Sequence, residues 1–169
     1  MPLEEWVVQF QQWSQEVVGA WGYLGVFLVS LVGNATIILP LPSIVVVFFA
    51  GTFLNPWLVG IAAGAGSALG EMTGYLLGRG GRKVAEKRQH KWIKRTKHWI
   101  RKGGVFPIIV LFAATPLPDD VAGAAAGLLK YDWKKFLVAA FIGKTIMCLA
   151  VSLAGFYGAG WVFSYISGS

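Results

Sequence analysis

The chain has 169 residues, of which 56% are hydrophobic and only 14% charged, with a mean hydropathy of +0.60. A soluble domain carries nearer a quarter charged residues, so this composition excludes a soluble globular module and calls for a bilayer around a single membrane module. The net charge of +7 is concentrated, with eleven of the fifteen Lys and Arg residues between Arg79 and Lys102. A basic run flanked by apolar segments is accounted for by the positive-inside rule and by anionic headgroups, not by nucleic acid.

Residues 1–18 place Leu3, Trp6, Val7, Phe10, Trp13 and Val17 on one stripe, which predicts an amphipathic helix in the interface plane. Glu4 and Glu5 stand where a cleaved signal peptide needs basic residues, so none is expected. Residues 20–38 form an apolar helix. Pro40-Leu41-Pro42-Ser43 then breaks the chain, because closely spaced prolines remove amide donors and clash with the preceding turn. The stretch 39–54 is shorter than the roughly 20 residues that a crossing helix needs. It reads as a re-entrant hairpin.

Asn55-Pro56 opens the next helix, and residues 57–78 are expected to be the clearest transmembrane span. Gly66, Gly70, Gly74 and Gly78 recur every four residues there, a ridge suited to close contact with another helix. Residues 79–104, bounded by Gly80-Gly81 and Gly103-Gly104, predict a basic interfacial segment on the cytoplasmic side. Residues 105–128 hold a second hairpin, broken at Pro116-Leu117-Pro118, and residues 134–166 a last transmembrane helix. The two breaks share a pattern, since each opens on Pro-Leu-Pro and closes on Ala-Gly, at Ala50-Gly51 and at Ala126-Gly127. Paired breaks in corresponding halves point to an inverted repeat with a transport site between its copies. The fold class expected is all-α integral membrane, with transmembrane helices, two opposed re-entrant hairpins and amphipathic interfacial helices.

Few ionisable groups fall at membrane depth, where each is costly and marks function. They are Glu71, Asp119, Asp120 and Lys144. Ser67, Glu71 and Tyr75 lie on one stripe of their helix. Glu71 is read either as a proton carrier or as a structural carboxylate paired with Lys144. One of Asp119 and Asp120 is expected to cap the returning helix and the other to face a cavity. Ser43 is read as a cap rather than a nucleophile, because His90 and His98 both lie in the basic segment. Cys148 is the single cysteine, and no spacing suits a metal or cofactor. No enzyme chemistry is expected.

The run Gly66-Ser67-Ala68-Leu69-Gly70-Glu71-Met72-Thr73-Gly74-Tyr75-Leu76-Leu77-Gly78-Arg79-Gly80-Gly81 resembles the glycine-acid-tyrosine-Gly-Arg signature of the DedA family, also called the VTT-domain superfamily. The basic segment, the second proline hairpin and Trp133-Lys134-Lys135-Phe136 follow that family's order of elements. The resemblance spans roughly residues 30–150. It implies a prokaryotic plasma-membrane protein that moves lipids across the bilayer, either phospholipid or a polyprenyl-phosphate carrier, in a proton-linked manner. Its partners would be membrane lipids, protons and, at the basic segment, anionic headgroups. Family members active on the phosphate carrier typically show arginines where this chain has Ala113 and Asp119, which points to a different headgroup, a cation or a scramblase-like groove. The rival readings are a small-cation or drug exporter using the same acids, and a non-transporting scaffold that shapes membranes. A homo-oligomer stays open.

Overall fold

The computed structural model describes residues 21–35, 41–86, 104–115 and 120–167, and within them every regular element is a helix. In chain order these are α1 (Tyr23–Ala35), α2 (Leu41–Phe53), α3 (Pro56–Glu86), α4 (Val105–Ala113), α5 (Asp120–Leu128) and α6 (Trp133–Ser167). The order is short, short, long, and then the same again. The predicted helix at residues 1–18 lies outside the described residues, as do Pro40, Pro116, Pro118, Asp119 and residues 87–103.

Local chemistry sets these boundaries. Pro42 falls in the first turn of α2, where the helix has no use for its missing amide donor. Asn55 caps α3, its Oδ1 accepting from the amides of Trp57 at 3.0 Å and Leu58 at 3.4 Å, with Pro56 at the first helical position. Asp132 caps α6 in the same way, accepting from Lys134 at 2.9 Å and Lys135 at 3.0 Å. Before it, α5 closes with Lys130 at φ 54, the Lys130 amide donating to the Gly127 carbonyl and the Tyr131 amide to that of Ala126, each at 3.0 Å. This is a Schellman ending, with lysine where glycine is usual.

The two long helices are antiparallel. The Ser152 hydroxyl on α6 donates to the carbonyl of Pro56 at the start of α3, at 2.8 Å. Toward the other end, the Tyr75 ring of α3 stacks on Phe136 of α6 with centroids 5.0 Å apart. Between these points Gly60 faces Leu149 and Gly64 faces Thr145, so the backbones meet closely. The short helices pack crosswise. Each half's first short helix lies on its own long helix, α1 on α3 and α4 on α6, while α2 lies on α6 and α5 on α3.

Glycine permits these contacts, and the same ones occur twice. A Cβ on Gly51 would run into the Ser152 carbonyl, and one on Gly127 into that of Tyr75. Reciprocally, a Cβ on Gly155 would strike the Phe48 carbonyl and one on Gly78 that of Ala124. Gly66 meets α1 at Phe27, as Gly143 meets α4 at Val110.

Three expectations need correction. The stretch 39–54 is not itself a hairpin, because Leu41–Phe53 is one continuous helix. In sequence, one Pro-Leu-Pro run begins between α1 and α2 and the other lies between α4 and α5. Second, α3 does not stop at residue 78 but runs through Gly80-Gly81 to Glu86, absorbing the first turns of the basic segment. Glycine costs only about 1 kcal/mol in a helix interior, which a long helix tolerates. Third, the clearest span is the last helix, not the third. Trp133–Gly158, of mean hydropathy 2.1, is the one helix among the described residues that is long and apolar enough to cross a membrane. Glycine, Ser67 and Glu71 dilute the apolarity of α3.

The outside is greasy, with Phe53, Leu77, Leu111 and Tyr157 each more than half exposed. Inside, one apolar cluster joins Val26, Val47, Val59 and Cys148, and another joins Tyr75, Ile109, Tyr131 and Phe136. Charge occupies the interval between them along α3 and α6.

Candidate functional site

That interval is built from one residue of α1, two of α3 and one of α6. Lys144 Nζ lies 2.9 Å from Glu71 Oε1, and the two residues are 2% and 3% exposed. Lys144 also donates to Asn34 Oδ1 at 3.2 Å. Asn34 in turn donates from Nδ2 to the Ser67 hydroxyl at 3.0 Å and to the Ser30 carbonyl at 2.8 Å. One amide thus ties the end of α1 to both long helices. Burying two charges is tolerable only when they are paired and their remaining hydrogen-bonding capacity is met, and Asn34 supplies part of that.

The ends of α1 and α4 adjoin this pair. The carbonyl of Ala35, the last residue of α1, accepts from the Thr73 hydroxyl at 3.1 Å, two residues beyond Glu71. Gly143, next to Lys144, abuts Ala113 at the end of α4. Gly123 of α5 stands over the backbone carbonyl of Glu71. The last residues of α1 and α4 therefore both stand beside the Glu71–Lys144 pair.

Of the residues singled out from sequence, Glu71 and Lys144 come together. Asp120 opens α5 as its first residue, and Asp119 lies outside the described residues. Ser43 is buried as the third residue of α2, within its first turn and not at the cap position assigned to it. The glycine ridge does not serve one partner. Gly66 and Gly70 receive α1, whereas Gly78 receives α5, because two different short helices cross α3 at successive heights; Gly74 is buried between them. Tyr75 leaves the polar stripe of Ser67 and Glu71. Its hydroxyl donates to the Tyr131 carbonyl at 2.5 Å and accepts from Arg79 Nη1 at 3.1 Å. Tyr131, in the turn before α6, has its own phenol pushed to higher pKa by burial and then by the neighbouring Asp132 charge. Asn34 was not singled out. Its signal was an amide at the end of an apolar run, ordinary beside a charged residue at membrane depth.

Among the described residues no group of His, Cys, Asp and Glu is placed to hold a metal ion. The site's chemistry is that of a closed, buried ion pair in an apolar protein, whose charge balance one proton on the carboxylate would upset.

Comparison with known proteins agrees with the resemblance in the glycine-acid run. The VTT domain matches residues 41–157. The Escherichia coli inner membrane protein YqaA is 24% identical over 131 residues, covering 78% of this chain and 84% of that protein. The Bacillus subtilis membrane protein YbfM is 27% identical over 154 residues, covering 83% and 93%. No solved structure matches the chain. An apolar exterior around a charged centre, a helix able to span and relatives described as membrane proteins identify an integral membrane protein. With more than half of its length matched by the VTT domain, the chain belongs to the DedA family.

Proposed function

We propose that the protein is a proton-linked lipid translocase of the plasma membrane, in which a headgroup passes beside the Glu71–Lys144 pair, near the ends of α1 and α4. The observation that carries this reading is the Glu71–Lys144 pair, closed at 2.9 Å, buried, and flanked by the ends of α1 and α4. In this reading α1–α2 and α4–α5 are re-entrant hairpins entering from opposite faces, related as an inverted repeat. The crosswise packing of the short helices on the antiparallel pair α3 and α6 supports that arrangement.

A proton arriving at Glu71 neutralises one partner and leaves the Lys144 charge without its counter-ion. An uncompensated buried charge costs several kcal/mol, so the pair opens and Lys144 becomes available to an anionic headgroup. Ala113 fills one position where relatives acting on a polyprenyl phosphate typically carry arginine, and it is buried against Gly143. That packing favours a phospholipid as the cargo over the phosphate carrier.

The test is transfer of a fluorescent phospholipid between leaflets of liposomes containing the full chain, with and without a pH gradient. Transfer is expected to rise with the gradient in the wild type. Glu71→Gln should abolish the gradient dependence, whatever transfer remains. A wild-type rate equal to that of protein-free vesicles would refute the proposal.

A further inference from the structure

The far end of α3 carries a second built feature that the Glu71–Lys144 centre does not use. Tyr75 is 1% exposed, stacked on Phe136, and its hydroxyl is committed to the Tyr131 carbonyl. The phenol oxygen is thereby fixed as an acceptor, and Arg79, one turn on, donates Nη1 to it. A guanidinium offers five donors in a planar fork. One holds Arg79 in place, the residue is exposed, and among the described residues no carboxylate pairs with it.

Lys130 is an independent sign at the same end. It is the one non-glycine residue with positive φ among those described, at 54°, and it precedes the Tyr131 to which Arg79 is tied through Tyr75. Glycine is the ordinary occupant of that helix-ending position. A lysine is held there against backbone preference, with its side chain exposed, an outlier of the kind that collects at functional sites. Around these cations the surface is apolar. Leu76 and Leu77 are both more than half exposed, and Trp133 is exposed across the turn.

We propose that Arg79 and Lys130 form a binding site for the phosphate of a membrane lipid headgroup, with Tyr75 as the residue that positions the guanidinium. Arg79 suits two phosphate oxygens, Lys130 adds a second positive charge, and the exposed leucines give the acyl chains a surface to lie on. The site does not depend on whether the bound lipid is then moved across the membrane.

The experiment is calorimetric titration of the full chain in neutral detergent with dioctanoyl phosphatidic acid, and separately with inorganic phosphate. Saturable lipid binding is expected, weakened about tenfold by Arg79→Gln and about fivefold by Lys130→Gly. Tyr75→Phe should weaken it by a smaller factor while leaving the charge unchanged, which a purely electrostatic patch does not predict. Lys130→Gly removes the left-handed strain, so its folding is not in doubt. Wild-type affinity in Lys130→Gly would overturn the proposal. So would a loss in Lys135→Gln equal to that in Arg79→Gln, which indicates diffuse surface charge. Inorganic phosphate binding as tightly as the lipid would assign the site to free phosphate instead. Binding is read here without transport, so failure of the liposome assay and failure of this one are separate results.

Discussion

The two halves of the molecule agree in backbone and differ in chemistry. Pro40 and Pro116 are 76 positions apart, as are Gly51 and Gly127; Asn55 and Asp132, the caps of the long helices, are 77 apart. Gly51 meets Ser152 as Gly127 meets Tyr75, again a pair of partners 77 apart. By the same spacing Ser67 corresponds to Lys144, and Glu71 to Cys148. The repeat therefore places backbone against backbone twice, but the charged centre once, with the acid from one half and the base from the other. What must be duplicated is close approach, which glycine and caps supply. What must not be duplicated is charge, since two equivalent carboxylates or two lysines at one depth would repel in a low-dielectric interior.

The sharpest way to probe this asymmetry is to remove one charge. Lys144→Met should lower stability in detergent by about 3–5 kcal/mol, because Glu71 is left buried without its partner, and adding Glu71→Gln should recover most of the loss. Denaturation midpoints of the two singles and the double provide the check, and a Lys144→Met protein as stable as wild type would dissolve the idea of a closed pair. The shared backbone contacts are tested next. Gly51→Ala and Gly127→Ala should each cost about 1–3 kcal/mol, since each new Cβ meets a carbonyl of the opposite long helix. Gly80→Ala, in open space, should be neutral or stabilising by up to about 1 kcal/mol. Thermal unfolding that separates Gly51→Ala widely from Gly127→Ala would break the equivalence of the halves. The smallest effects belong to the caps, where Asn55→Ala and Asp132→Ala should each cost about 1 kcal/mol in the same measurement.

Much of this was legible in the sequence where the signal is local. The doubled Pro-Leu-Pro marks two chain breaks because proline acts on its own turn. Glu71 and Lys144 stand out because charge is scarce in an apolar chain. The stretch 39–54 was misread because two close prolines read as a break within it, whereas Pro42 falls in the first turn of α2, where a helix tolerates proline. Asn34 escaped for a different reason. An amide is not costly enough in a membrane segment to be conspicuous, and its importance comes from Lys144, 110 positions later. The glycine contacts between α2 and α6 were equally silent. Gly51 and Gly155 lie on separate helices, and no spacing within either predicts their partners. The end of α3 was misjudged because a local Gly-Gly signal yielded to the helix already under way.

The crosswise packing has a mechanical consequence. The two short helices of each half are fastened to different posts, α1 to α3 and α2 to α6, α4 to α6 and α5 to α3. No shift of one post along the other can leave either pair of short helices at rest, because each pair has one member on the moving post and one on the stationary post. Both are sheared together. A displacement of either long helix is thus passed by connectivity alone to short helices of both halves, as in a pair of crossed levers sharing one pin, with the pin at Glu71 and Lys144.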